Sequence, residues 1–222
     1  MESIGKNLEE VKAQLPANVS LVAVSKTKPN SAIEAAYNVG QRVFGENRIQ
    51  ELVVKSEELP KDIEWHMIGH LQSNKVKYIA PFISLIHAVD KPKLLAEINK
   101  EALKNNRVIK VLLQFHIAEE DSKFGMNLPE AEQLLESEQF QSFQNIEVAG
   151  VMGMATFTSD QKQVRNEFKT LKSIFDKLKN GFFQNQPRFR EISMGMSGDY
   201  KLAIEEGSTM VRVGSSIFGK RG

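Results

Sequence analysis

Residues 193–219 read SMGMSGDYKLAIEEGSTMVRVGSSIFG. Two short apolar runs, Glu191–Met194 and Met210–Val213, pass into turns rich in glycine and serine, with a helical pattern, LAIEEG, between them. Six of the fourteen glycines lie between Gly195 and Gly222. Their position separates two parallel folds. A doubly wound open sheet places its glycine-rich phosphate turn after the first strand. Here the first strand, Leu21–Val24, runs into SKTKPN, residues 25–30, which has no glycine. A (β/α)8 barrel often binds phosphate in the loops after strands seven and eight. The glycine distribution favours the barrel.

The same alternation extends through the rest of the chain. Apolar runs recur at Leu21–Val24, Arg42–Phe44, Trp65–Ile68, Leu85–Ala88, Val108–Ile117, Val148–Met152, Glu191–Met194 and Met210–Val213. They are short, rich in β-branched residues and often apolar on both faces, as buried parallel strands are. Helical patterns separate them. Asp90 is expected to cap a helix whose first turn holds Pro92, and Asn127 with Pro129 repeats that start signal. Ser31 and Glu34 have capping-box spacing. After Asp160, Val164, Phe168, Leu171, Phe175 and Leu178 recur at steps of three and four, which predicts an amphipathic helix. Eight units of roughly 28 residues make an α/β, TIM-like (β/α)8 barrel, somewhat smaller than typical. A single domain over residues 1–222 is expected.

Composition narrows the function classes. Lys and Arg total 29 against 28 Asp and Glu, a net charge of +1, so no basic excess points to nucleic acid. Cysteine is absent, which excludes disulfides, thiolate metal sites and a cysteine nucleophile. The start, MESIGKNLEEVKAQL, is polar and amphipathic without an apolar signal core. No run approaches the ~18 apolar residues of a membrane span. A cytoplasmic protein with no membrane partner is expected.

Several strand ends carry candidate chemistry. Lys26 follows strand one, where desolvation and the nearby Lys28 would favour a neutral amine able to attack an aldehyde. The bland alternative is a solvated loop lysine. In FGENRIQE, residues 44–51, Glu46 and Asn47 fall near a helix start; Asn47 either caps it or faces a ligand at the barrel mouth. His66 and His70, in WHMIGHLQSNK, are four apart, but Gly69 interrupts a strand-to-turn stretch and no HExxH helix is present. No metal is therefore expected; His66 reads as a polar layer inside the barrel, His87 as a buried histidine, and Ser73 or Asn74 as the next helix start. The DSKFGMN loop, residues 121–127 with Lys123, is either a lid or a charged surface loop.

GVMGMAT, residues 150–156, and SMGMSGD, residues 193–199, alternate Met with Gly. Small residues let a flat ligand or a phosphate approach the backbone, and Met provides a soft apolar wall. Ser197 with Gly198, and Gly214 with Ser215 and Ser216, offer adjacent N–H and hydroxyl donors. Purely structural turns are the alternative. An amine, an apolar wall, a phosphate cup and Arg212 together suit a flat ring bearing an aldehyde and a phosphate. Pyridoxal 5′-phosphate is such a molecule, and enzymes hold it through a lysine Schiff base. A sugar phosphate would leave the Met wall unexplained.

LVAVSKTKP, FGENRIQE, WHMIGHLQSNK, SKFGM, GVMGMAT, SMGMSGD and VRVGSSIFG, in that order over residues 21–219, resemble the signatures of the pyridoxal phosphate homeostasis proteins. That resemblance implies a barrel of the alanine racemase N-terminal type, bound pyridoxal phosphate, a part in vitamin B6 balance and no established catalysis. Lys26 matches the Schiff-base lysine. Ser197, Gly214 and Ser215 match the phosphate positions, Arg212 the arginine facing the pyridine nitrogen, and Met196 and Asn47 neighbours of the cofactor. The chain departs at His70, where proline is common, at Ser215, where threonine is common, and at Arg48, where an aromatic residue often follows FGEN.

An arginine only donates, so it would keep the ring nitrogen unprotonated and the ring a weak electron sink. Racemisation also needs a second base, which in the racemase comes from another domain of a partner subunit. The chain ends at Gly222, three residues after the last motif, so that domain is expected to be missing and the protein to be monomeric. The expected function is a carrier and buffer that holds the cofactor as an imine and releases it to pyridoxal phosphate-dependent apoenzymes, assisted by Lys28 or Lys123. The alternatives are a small amino-acid racemase, lyase or decarboxylase, a sugar-phosphate aldolase or isomerase, and an interaction module regulating B6 enzymes.

Overall fold

The computed structural model describes residues 2–120 and 124–219. Eight parallel strands close into a barrel in sequence order: β1 (Ser20–Val24), β2 (Val43–Glu46), β3 (Glu64–Met67), β4 (Leu85–Val89), β5 (Ile109–Gln114), β6 (Ile146–Met152), β7 (Glu191–Met196) and β8 (Met210–Val213). Closure is made by β1 on β8, with Val22 opposite Arg212. Every expected strand is present. The run Val108–Ile117 yields only the six residues of β5, because beyond Gln114 the chain pairs back on Met126 through a lone bridge at Phe115.

Two apolar cores follow from the alternation of side chains along each strand. The larger lies between barrel and helices and includes Phe44, Met67, Ile86, Val111, Phe168 and Met194. The smaller fills the lumen with Val22, Leu85, Ala88, Leu112, Ala149, Met152 and Met210. The alternation slips in β4. Leu85 and Ala88 face the lumen while Ile86 and Val89 face the helices, with a bulge between Ile86 and Val89. A bulge adds one residue to a strand and re-aims its neighbours.

The helix starts are partly as expected. Asp160 caps Gln161–Gly181 by accepting from the N–H groups of Lys162 and Gln163, with Val164, Phe168, Leu171, Ile174 and Leu178 buried. Asn127 caps Leu128–Glu136, and Glu130 completes a reciprocal capping box. Three expectations are corrected. The helix Pro92–Lys104 has Lys91, not Asp90, at its cap; proline is the first helical residue, which moves the cap position one residue on. The helix Asn30–Asn38 starts after Pro29, so Ser31 is already inside the first turn and makes no cap. The helix Ile49–Glu58 is preceded by Arg48, so neither Glu46 nor Asn47 caps it. Among the described residues no helix is long and apolar enough to cross a membrane.

Candidate functional site

The C-terminal ends of the strands open into one cavity of about 740 Å³. Lys26, Asn47, Met196, Ser197, Arg212, Gly214 and Ser215 all line it. Seven residues taken from four places in the sequence thus converge, because a parallel barrel brings every strand's C-terminal end to the same face.

Lys26 sits in a turn pinned on both sides. Before it, the Ser25 hydroxyl donates to Glu46 Oε1 at 2.6 Å, and Lys55 Nζ donates to the Ser25 carbonyl at 3.0 Å and to Glu46 Oε1 at 2.8 Å. After it, the Thr27 N–H donates to Glu51 Oε2 at 2.8 Å. Thr27 holds a left-handed conformation, φ 65°, which a β-branched residue adopts only when its surroundings impose it. Glu46 and Lys55 are buried, and burial pushes the Glu46 carboxyl up against the opposing pull of Lys55 and Ser25. Sequence reasoning missed this clamp. Lys28 is drawn away to the other end of the chain, where Nζ donates to the carbonyls of Phe218 and Gly219 at 3.0 and 3.2 Å.

Asn47 faces the cavity, and its Oδ1 is shut off from solvent without a hydrogen-bond partner among the described residues. Gly69 packs against it: a Cβ there would come within 2.6 Å of the Asn47 carbonyl oxygen. An orphaned acceptor of this kind costs free energy unless a donor reaches it.

The turns after β7 and β8 form one unit. The Gly214 N–H donates to Ser197 Oγ at 3.1 Å. Asp199 accepts from the Met196 N–H at 2.5 Å and folds the first turn back on itself. Gly195 is left-handed, φ 92°, and a Cβ on it would lie 2.6 Å from Ala203 Cβ, so no other residue fits the bend. Met154 and Met196 flank the opening.

Arg212 is buried beneath this cup. Nη1 donates to Ser193 Oγ at 2.6 Å and Nη2 to the Gly153 carbonyl at 3.1 Å. Burial lowers its pKa to about 10, opposed by Asp199, so the guanidinium stays charged at neutral pH. Ser193 lies 3.0 Å from His87 Nδ1, and His87 Nε2 lies 3.1 Å from His66 Nδ1. Both histidines are thus inside the barrel, as expected for a polar layer. His70 points elsewhere: it stacks on Phe124 at the cavity rim, ring centroids 4.9 Å apart. The exposed Phe157 completes that rim, which sequence reasoning also missed; its only signal was an aromatic residue directly after GVMGMAT. Lys123 lies outside the described residues.

This donor set fits pyridoxal 5′-phosphate. A lysine amine, a buried guanidinium and paired turns with N–H and hydroxyl donors line one cavity, and Asn47 beside them carries a buried acceptor without a partner among the described residues.

The comparisons with known proteins agree with this geometry. Residues 1–222 match the family described as alanine racemase, N-terminal domain. The pyridoxal phosphate homeostasis protein of Aquifex aeolicus is 40% identical over 90% of this chain and 86% of its own length. PipY of Synechococcus elongatus, solved with PLP bound, is 35% identical with a TM-score of 0.86, covering 97% of this chain and 100% of that one. An alanine racemase of Clostridium difficile in complex with cycloserine, 13% identical, shares the fold with a TM-score of 0.79 over 100% of this chain and 60% of its own.

Proposed function

The chain belongs to the pyridoxal phosphate homeostasis proteins, and from that membership we propose that it binds pyridoxal 5′-phosphate in the upper cavity and serves intracellular vitamin B6 balance. The observation that carries the reading is that Lys26 opens onto the same cavity as the two phosphate-sized turns joined by Gly214 and Ser197. When bound, the cofactor supplies an aldehyde carbon conjugated to a pyridine ring. Lys26 provides the amine that bonds to that carbon. The turn donors of Ser197, Gly214 and Ser215 hold the phosphate, and Asn47 Oδ1 accepts from the ring hydroxyl. Met196 shields the ring.

Arg212 decides between storage and turnover. A guanidinium donates only, so Arg212 holds the ring nitrogen unprotonated and gives little help to carbanion chemistry. Storage and release to apoenzymes is therefore the better reading. A second reading, a small amino-acid racemase, lyase or decarboxylase, is favoured by His70 at the rim and not by Lys28, whose Nζ is held by the carbonyls of Phe218 and Gly219.

Borohydride reduction with peptide mapping tests the binding site. The phosphopyridoxyl label is expected on Lys26 and lost in Lys26→Ala; label on another lysine, or none, overturns the assignment. Sustained turnover of any amino acid, abolished by Lys26→Ala, would favour the second reading.

A further inference from the structure

Four buried side chains form a hydrogen-bonded line through the barrel: Arg212 on β8, Ser193 on β7, His87 on β4 and His66 on β3. The two mouths of the barrel lie at its ends. Arg212 opens onto the upper cavity. His66 lines the lower opening, together with Lys110, Arg188, Glu64 and Glu147.

The direction of the first link follows from one fact, and full use of the Ser193 hydroxyl sets the rest. Arginine has five N–H donors and no acceptor. Arg212 therefore donates to Ser193 Oγ. The single Ser193 proton is then free for its other neighbour, His87 Nδ1, the partner that uses it within this line. A neutral His87 that accepts at Nδ1 carries its proton on Nε2 and donates it to His66 Nδ1. His66 in turn carries its proton on Nε2, toward the lower opening. The reversed tautomers, with both rings donating from Nδ1, would leave the Ser193 hydroxyl proton without a partner in this line.

We infer that Ser193 and His87 are positioning residues for the ring-nitrogen contact, holding the Arg212 guanidinium against the bound cofactor through a donor chain of fixed direction. The inference rests on the cofactor reading above. Two of the five N–H groups of Arg212 are taken by Ser193 and Gly153, which sets the guanidinium plane. Three remain beyond those two contacts, on a residue that lines the cavity. Without Ser193 the group would keep only the Gly153 contact and could swing about it.

Two measurements test this, and the first needs no cofactor. Long-range nitrogen–proton correlation spectra of the histidine side chains are expected to show both His66 and His87 as neutral Nε2–H tautomers. An Nδ1–H on either ring overturns the chain's direction. The second measurement compares variants loaded with pyridoxal 5′-phosphate. Ser193→Ala and His87→Phe are expected to bind about tenfold more weakly and to move the pH midpoint of the visible band by about one unit. His87→Asn keeps an acceptor at the δ position and is expected to restore both. Wild-type affinity and an unmoved midpoint in Ser193→Ala and His87→Phe would overturn the positioning role. Loss of the Lys26 label in the wild-type protein would instead sink the cofactor reading, leaving the tautomer result to stand separately.

Discussion

His66 and His87 show how a single residue's surroundings become a property of the folded chain. Burial lowers His66 to about 3, with Lys110 adding to the effect, and burial with His66 and Arg212 holds His87 well below its ordinary range. Unfolded, each would titrate near 6.5. As pH falls below that value the unfolded chain binds protons that the folded chain refuses. Stability therefore drops on acidification, by about 1.4 kcal/mol per pH unit for each histidine well below 6.5. For His66 the loss continues until its folded value near 3 is reached. The melting temperature is expected to fall as pH is lowered from neutral, and His66→Gln to remove about half of the slope; an unchanged slope would count against the buried neutral pair. That His66 faces inward was legible from its place on a short strand. Its partner was not, because His87 lies 21 residues away and meets it only once β3 and β4 are paired. The same holds for the Lys26 turn: Lys55 reads as an ordinary charge on an amphipathic helix until β1 and β2 bring Ser25 beside Glu46.

Among the elements, the strands were the most readable because burial on both faces leaves uninterrupted apolar runs. Their irregularities were not. In β6 the register shifts against β5, so that Val111 pairs with Val148 and Leu112 with Gly150. At that step β7 approaches so closely that a Cβ on Gly150 would lie 1.8 Å from the Glu191 carbonyl oxygen. A backbone atom cannot rotate away as a side chain can. Gly150→Ala is expected to cost roughly 4 kcal/mol or more, measured by urea unfolding, since it must break the β6–β7 pairing or move it. A cost near that of an ordinary surface change would show that β7 can shift. In the sequence Gly150 stood out only as one of the Met–Gly alternations, and those suggested ligand approach. For Gly195 the requirement is the bend over Ala203, and for Gly150 it is the neighbouring strand. Two helix caps failed for a related reason: Asp90 and Ser31 have the right chemistry, but the helices start at Pro92 and Asn30, so Asp90 stands one residue before the cap position and Ser31 two residues after it.

At the scale of the molecule, the barrel separates an upper face that gathers the residues proposed to hold the cofactor from a lower face lined by paired charges. Arg188 meets Glu147 at 2.6 Å there, and Arg190 meets Glu191 at 3.2 Å. A ligand that binds only the folded chain stabilises it by about 2.7 kcal/mol at a hundredfold excess over Kd. For a chain of this size that is a rise in melting temperature of roughly 5–10 °C. Calorimetry with pyridoxal 5′-phosphate is expected to show it, and Lys26→Ala to lose most of it; a rise undiminished in Lys26→Ala would mean that the phosphate cup alone supplies the affinity. The line of donors through the lumen also bears on what a change at Arg212 would require. Replacing Arg212 with a carboxylate, which only accepts, would turn the Ser193 proton around. His87 would then have to donate from Nδ1, and His66 from its own Nδ1, so both rings must exchange tautomers in the same step. A conversion that looks like one codon is a rewiring of four residues at once, and an ancestor making it gradually would pass through forms with a buried, mismatched pair.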